Sequence, residues 1–316
     1  MRLITTLPEA GALRRPQVLA LGVFDGLHLG HRAVLAEALR QARRLGLPAA
    51  ALSFDPVPEA ALGQPVPLRL QHPAEQAEQL KALGLDRLYR VPFTAALGRL
   101  RPDAFAATVL AGRLACAQVV VGHGFRFGAG ASGTVEALKA LGQGLGFGVS
   151  EVAPARLGGH LASSTRLRHA VQGGDMGLAQ RLLGRPWRLR GRVVSGRKLG
   201  RKLGFPTANL QSPQQALPPK GVWAGRVRVL SVNGPGAWKG FVGNLGQRPT
   251  LGQGLAPSIE LHLLGFKGRL NGRTLEAEFL KHLRPERRFA GLDALKAQIG
   301  RDRERAAAWL KGRLDP

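Results

Sequence analysis

Apolar positions in the first half of the chain fall into short runs set between stretches of helical period. Residues 17–22, 49–54, 87–91, 118–122 and 148–152 read as strands, most of them continuous apolar runs of the kind buried on both faces. Between them, residues 29–45 place Val34, Leu35, Ala38, Leu39 and Ala42 on one helical stripe, and residues 73–83, 102–114 and 135–145 read as further helices. Strands alternating with helices predict right-handed crossovers and an α/β, doubly wound parallel sheet. Such sheets bind ligands outside the carboxyl ends of their strands, so chemistry is expected in the loops after Gly22, Phe54 and Gly122.

The pattern changes near Leu183-Gly184-Arg185-Pro186. Two short helices, 164–171 and 176–183, precede it. Strand-type runs separated by Gly and Pro follow at 188–195, 221–232, 237–244, 258–266 and 273–279, which predicts a small antiparallel β-barrel. A terminal helix over 292–310, with apolar spacing at Leu292, Leu295, Ile299 and Ala306, closes the chain. The expected domains are residues 1–184 and 185–316, in line with about 150 residues per domain for a chain of 316.

Composition narrows the class. Hydrophobic residues make up 44%, too many for a disordered basic tail. No apolar stretch approaches the ~20 residues of a membrane span, and residues 1–8 lack the features of a secretory signal. Cys116 is the only cysteine, which excludes an intrachain disulfide and a Cys-based zinc site. A soluble, cytoplasmic protein without a membrane partner is expected.

Charge adds a puzzle. Lys plus Arg is 46 against 20 Asp plus Glu, a formal +26. That balance first suggests nucleic acid. Aromatics are only 5%, with a single Tyr, and no RNA-recognition or helix-turn-helix signature is present, so no nucleic-acid partner is expected. The excess of Arg over Lys, with abundant Ala, Leu and Gly, accords with GC-rich coding. Placement is more informative. Residues 1–184 carry a net +8 and residues 185–316 a net +18, and no carboxylate stands between Asp175 and Glu260. A phosphate-handling surface would exclude carboxylates in this way.

Two constellations carry candidate chemistry. In the first, Gly22-Val23-Phe24-Asp25-Gly26-Leu27-His28-Leu29-Gly30-His31 follows the first strand and opens the first long helix. A helix N-terminus favours phosphate, and two histidines three apart face the same side. Gly30 between them lets a ligand approach the backbone. Such a pair suits nucleotidyl transfer, where positioning and charge stabilisation supply most of the catalysis. Ser163-Ser164-Thr165-Arg166-Leu167-Arg168 opens another helix, with hydroxyls and cations beyond what a cap requires.

In the second, Gly196-Arg197-Lys198-Leu199-Gly200-Arg201-Lys202-Leu203-Gly204-Phe205-Pro206-Thr207-Ala208-Asn209 is a glycine-rich flap with four cations, ending in a rigid turn. It lacks Walker A spacing. Thr207 and Asn209 are hard oxygen donors two apart on an extended segment, suited to a Mg²⁺–ATP complex. A kinase acting on an alcohol needs a proton acceptor. Glu260 is the first carboxylate after the gap and shares a strand face with His262. It reads either as that acceptor or as a surface partner for one of the arginines.

The two histidines and the Ser-Ser-Thr-x-x-Arg segment resemble the corresponding class of nucleotidyltransferases. With Phe54-Asp55-Pro56, Val121-Gly122-His123-Gly124-Phe125-Arg126-Phe127-Gly128 and Gly-Phe-Pro-Thr-Ala-Asn in this order, essentially the whole chain resembles prokaryotic bifunctional riboflavin kinase/FMN adenylyltransferases (FAD synthetases). The resemblance implies a Rossmann-like nucleotidyltransferase domain and a kinase barrel. It implies phosphorylation of riboflavin to FMN, then adenylylation of FMN to FAD, with ATP as co-substrate and Mg²⁺.

By position, it places ATP phosphates at His28 and His31, with Gly22, Phe24, Asp25 and Gly30 in the same ATP loop. Ser164, Thr165 and Arg168 would hold the β- and γ-phosphates, and Phe125, Arg126 and Phe127 would line the flavin side. In the second half it places ATP at Gly196, Gly200, Gly204, Pro206, Thr207 and Asn209, the general base at Glu260, and the flavin near Arg284. Arg284 contacts flavin or pairs with Glu286 on this reading. Two departures stand out. Gly124 takes the place of the family's usual Asp or Asn, and Val57 that of a frequent His, which raises the alternative of a kinase with an impaired adenylyltransferase half.

Overall fold

The computed structural model describes residues 1–61, 63–196, 200, 203–211, 214–249 and 255–314. The chain forms two compact units, Met1–Leu68 with Pro73–Arg166, and Arg69–His72 with Leu167–Pro316.

The first unit is built on six strands: β1 (Arg2–Ile4), β2 (Gln17–Leu21), β3 (Ala49–Phe54), β4 (Arg87–Val91), β5 (Cys116–Gly122) and β6 (Gly148–Val152). They pair in the order β1-β4-β3-β2-β5-β6, every pair parallel. Central strands β2 and β3 are buried almost throughout, as their continuous apolar runs require, while β1 and β6 are partly exposed edges. Helix α1 (Leu29–Leu45) turns Val34, Leu35, Ala38 and Ala42 to the core and ends at Gly46 in the left-handed conformation. The chain runs one way from β2 through β3 and β4, then returns to β5 on β2's other side. This reversal puts a crevice outside the carboxyl ends of β2 and β5.

Two details depart from the sequence reading. Strand β1 has three residues, too few to show a period. The expected helix over 102–114 is a short turn, Pro102–Ala104, running into a wider helix, Phe105–Arg113, closed by a bond from the Leu114 N–H to the Val109 carbonyl. Phe105, Ala106, Val109 and Leu110 remain buried, so the apolar pattern fits the wider winding equally well.

A small hairpin, β7 (Arg156–Leu157) and β8 (His160–Leu161), leads into the helix Ser164–Gly173, which is followed by Met176–Leu183. The barrel strands are β9 (Arg188–Val194), β10 (Ala208–Leu210), β11 (Gly221–Ser231), β12 (Gly234–Pro235), β13 (Lys239–Pro249), β14 (Leu255–Leu263) and β15 (Thr274–Arg284). Their order is β12-β11-β13-β14-β10-β9-β15, and β15 also pairs with β11. Six strands therefore close into an antiparallel barrel, with β12 as a spur on β11. Trp223, Phe241 and Phe279 fill the interior with edge-to-face contacts, ring centroids 5.2 and 6.2 Å from Phe279. The barrel was expected from its longer runs; β10 was hidden in what reads as a turn. The terminal helix, Leu292–Leu310, buries Asp302, Ala306 and Leu310. Ala306 packs on Val222, Ala224 and Val242. Leu292, expected on the apolar face, is 60% exposed.

On the outer side of the barrel, Glu276 and Glu278 of β15 are fully buried under four arginines. Arg188 and Arg190 of β9 and Arg226 and Arg228 of β11 stand opposite them in register. Contacts run from 2.5 to 2.9 Å for Arg190 and Arg228 on Glu276, and Arg188 and Arg226 on Glu278. Trp238 lies against the Arg188, Arg226 and Arg228 guanidiniums at 4.5–5.7 Å.

Candidate active sites

The loop after β2 sits at the crevice of the first unit. His28 caps α1, its Nδ1 accepting the Gly30 N–H at 3.2 Å. Because Nδ1 is an acceptor, the neutral ring carries its proton on Nε2, the atom left to donate to a ligand. The His28 and His31 rings stack at 3.8 Å, and Phe24 meets His31 edge-on at 5.5 Å. Burial lowers the His28 pKa to about 4. Burial, and then the neighbouring His28, hold His31 well below the ordinary range. Both rings are neutral near pH 7, so they act as hydrogen-bond donors or acceptors rather than as cations. The His31 Nδ1 is buried and has no partner among the described residues, as expected of a group that meets a ligand. Gly30 is required by close approach: a Cβ there would lie 3.1 Å from the Ala162 carbonyl and from the His28 ring.

Of the other expected residues, Ser164 meets this loop directly. Ser164 donates to the Asp25 carbonyl at 3.1 Å, so its hydroxyl ties the helix Ser164–Gly173 to the loop. The Ser163 hydroxyl accepts from the Arg166 N–H, and the Arg166 guanidinium holds the Leu157 and His160 carbonyls of the β7–β8 hairpin. Thr165 is exposed on the first turn of that helix and Arg168 is half-buried one turn on. Phe125 is half-buried and stacks on Phe127 at 6.0 Å, Arg126 is exposed between them, and Phe127 is buried against Phe105. Gly124 has φ +70° with open space around it. Gly, Asn and Asp are the residues that enter this conformation most readily, so the expected Asp or Asn would fit the same backbone.

In the barrel, Asn209 of β10 pairs in register with Glu260 of β14. Thr207 Oγ1 donates to Glu260 Oε2 at 3.4 Å, and Ser258 Oγ to Oε1 at 3.5 Å. His262 Nδ1 is 2.9 Å from the Pro206 carbonyl, fixing the turn before β10. Thr207 and Asn209 border two cavities at once. One, of about 450 Å³, also has Glu260, Asn244, Arg284 and Phe289 in its wall. The other, of about 410 Å³, has Gly196, Pro206, Leu261, Phe266, Arg269 and Asn271. Gly200 borders the first cavity, and Gly204 turns at φ +87° beside it. The flap cations Arg197, Lys198, Arg201 and Lys202, and Thr250, lie outside the described residues.

Arg284 does not pair with Glu286. It pairs with Asp302 of the terminal helix, Nη2 to Oδ2 at 2.7 Å and Nε to Oδ2 at 3.0 Å, while Glu286 accepts from Asn244 at 2.9 Å. Asp302 was missed, although an acid in phase with Ile299, Ala306 and Leu310 on a helical face was a visible signal. Asn244 gave none, because only the register of β13 on β14 sets it opposite Glu260; Ser258, two residues before Glu260 on the same strand, was a visible signal.

Residues 11–166 match the family model for FAD synthetase and residues 183–310 that for riboflavin kinase. The two matches define a nucleotidyltransferase unit joined to a kinase barrel, and relatives with both halves carry the same order. A bifunctional riboflavin kinase/FMN adenylyltransferase from Haemophilus influenzae is 36% identical over 98% of this chain and 99% of its own length. One from Escherichia coli is 39% identical over 90% of each chain. A crystal structure described as a macrolide-efflux protein from Streptococcus pneumoniae superposes with a TM-score of 0.86 at 29% identity, covering 98% of this chain and all of that one. Among the described residues, no helix is long and apolar enough to cross a membrane. The chain belongs to the bifunctional riboflavin kinase/FMN adenylyltransferase family.

Proposed function

We propose that the barrel phosphorylates riboflavin to FMN and the sheet unit adenylylates FMN to FAD, each with ATP. We assign the second step to residues 1–184 and the first to residues 185–316. The observation that carries the kinase assignment is the position of Thr207 and Asn209 between two cavities, with Glu260 in only one wall. ATP belongs in the cavity beside Gly196, Leu261, Phe266 and Arg269, and riboflavin in the one that holds Glu260. The phosphoryl group then crosses at Thr207 and Asn209. Glu260 takes the proton of the ribityl hydroxyl as its oxygen attacks the γ-phosphorus, and ADP leaves in line. Arg284 and Phe289 border the flavin end.

Thr207 and Asn209 offer neutral oxygen donors beside one carboxylate, and no group of three His, Cys, Asp or Glu among the described residues could hold a metal by itself. That donor set fits Mg²⁺, which is bound largely through substrate phosphates and water. When bound, Mg²⁺ supplies charge neutralisation on the β- and γ-phosphates.

In the sheet unit, the FMN phosphate attacks the α-phosphorus of ATP and pyrophosphate leaves. His28 Nε2–H and His31 donate to the oxygens that gain charge, and the α1 N-terminus adds its dipole. Thr165 and Arg168 are placed at the β- and γ-phosphates. Phe125 and Arg126 border the flavin, with Phe127 behind them. Both reactions belong in the cytoplasm, where ATP is supplied. Purified protein incubated with riboflavin, ATP and Mg²⁺ should yield FMN and then FAD on separation of the flavins. FMN that never becomes FAD would remove the adenylyltransferase assignment; absence of FMN would remove the kinase one.

A further inference from the structure

The loop that presents the histidines is strained. Phe24 and Leu27 both have positive φ, 54° and 49°, in a region bulky residues rarely enter. Such a conformation persists only where its surroundings over-determine it. The restraint comes from three residues that no motif contains. Gln76, 7% exposed on the helix Pro73–Ala82, donates through Nε2 to the Val23 carbonyl at 3.0 Å and the Phe24 carbonyl at 3.1 Å. Ser53, at the end of β3, donates to the same Val23 carbonyl at 2.8 Å. Arg90 of β4 donates through Nη2 to Gln76 Oε1 at 2.9 Å and to the Pro73 carbonyl at 2.6 Å. The partners fix the amide's orientation, since two carbonyls require donors and a guanidinium requires an acceptor.

We infer that Gln76 is a positioning residue for adenylyl transfer, acting through the Val23 and Phe24 carbonyls on the His28–His31 pair. In a trans peptide the C=O and the following N–H point in opposite directions. Anchoring these two carbonyls therefore sets the direction of the Phe24 and Asp25 N–H groups. It also sets the path that carries the Phe24 ring to within 5.5 Å of His31. A small displacement of groups that stabilise a transition state is costly: about 1 Å can remove on the order of 10²-fold. The inference rests on the adenylyltransferase assignment, and wild-type protein run alongside separates the two: FAD from wild type sustains that assignment whatever the variants do.

The test uses the full chain, with riboflavin phosphorylation as an internal measure of intact protein. Gln76→Leu should lower kcat for FMN adenylylation on the order of 10–10²-fold, with kinase activity unchanged. Gln76→Lys keeps a donor to the two carbonyls but removes the acceptor that Arg90 requires, and should lose less adenylylation than Gln76→Glu. Gln76→Glu turns acceptors toward two carbonyls while Arg90 keeps the new carboxyl ionised, and should lose the most. A merely structural defect would cost protection across β2 as well as rate. Without any ligand, Gln76→Leu should speed amide exchange across residues 23–27 while β2 stays protected. Wild-type adenylylation in Gln76→Leu and Gln76→Glu, unchanged exchange at residues 23–27, or equal loss of both activities in all three variants would overturn the inference.

Discussion

On the functions proposed, the two units handle phosphate in opposite ways. In the sheet unit the working groups would be two neutral, stacked imidazoles at a helix N-terminus, held by a loop whose shape depends on buried side chains elsewhere. In the barrel they are a hydroxyl, an amide and a carboxylate on paired strands, held by register itself. The difference follows from the two nucleophiles. An FMN phosphate is already ionised at neutral pH and needs no base, so its site can work through donors to the leaving pyrophosphate. A ribityl alcohol keeps its proton, and its site must retain one acceptor. That accounts for the single carboxylate at the end of the acid-free stretch in this otherwise cationic half.

The sharpest way to break this contrast is Glu260→Gln. It should lower riboflavin phosphorylation by ~10²–10⁴-fold while adenylylation of supplied FMN continues. A near-normal kinase rate would remove the base from the mechanism. The reciprocal test, His28→Ala with His31→Ala, should reduce FAD formation on the order of 10²-fold or more and leave FMN formation intact. Loss of both activities would show that the chemistry is not divided as assigned.

Legibility cut across this division. Helix α1 was readable to its ends because its stripe, its N-cap and Gly46 agree. His28, His31, Thr207, Asn209 and Glu260 stand out as candidates because each stands in a local cluster of chemistry-bearing residues. Gln76, Ser53 and Asp302 were not, since each acts on a segment far away in sequence and resembles an ordinary surface polar residue. The bond from Ser164 to Asp25 was not legible either, since it exists only once the two loops meet. Strand β10 is three residues long, and period two cannot be recognised in three residues. Arg284 was readable as a cavity residue, but its partner Asp302 comes from a separate helix.

The third test compares how the units are held together. Glu276 sits between Arg190 and Arg228, with Arg188 nearby. Burial alone would raise its carboxyl, but Arg190, Arg188 and Arg228 outweigh burial and hold it below the usual carboxylate range. Glu276→Gln leaves buried guanidiniums without their counter-charge, a change that typically costs ~3–5 kcal/mol. All four tryptophans, Trp187, Trp223, Trp238 and Trp309, lie in the barrel unit, so their fluorescence in urea should report the loss. An unchanged midpoint would mean that the arginine ladder contributes nothing net.

Acid should separate the units by smaller increments. His28 binds its proton more weakly folded, at about 4, than unfolded, at about 6.5, and His31 is shifted in the same direction. Between those values the unfolded chain holds protons the folded sheet unit lacks, so acid favours unfolding there. This part of its stability is complete above pH 6.5 and is lost as pH falls toward 4. A shift of this size corresponds to about 3 kcal/mol for His28. Glu276 works lower on the scale: its folded carboxyl is depressed below 4.5, so its contribution is complete above that value and lost only beneath it. Amide exchange of β2 and α1, corrected for the intrinsic pH dependence, should therefore show the sheet unit loosening between pH 6.5 and 5. Over the same interval the tryptophan-detected urea midpoint of the barrel should hold. If both units weaken together from pH 6.5, the neutral imidazoles are not what distinguishes them. If the sheet unit holds to pH 4.5, His28 and His31 take up protons without penalty and are too well solvated to act as neutral donors.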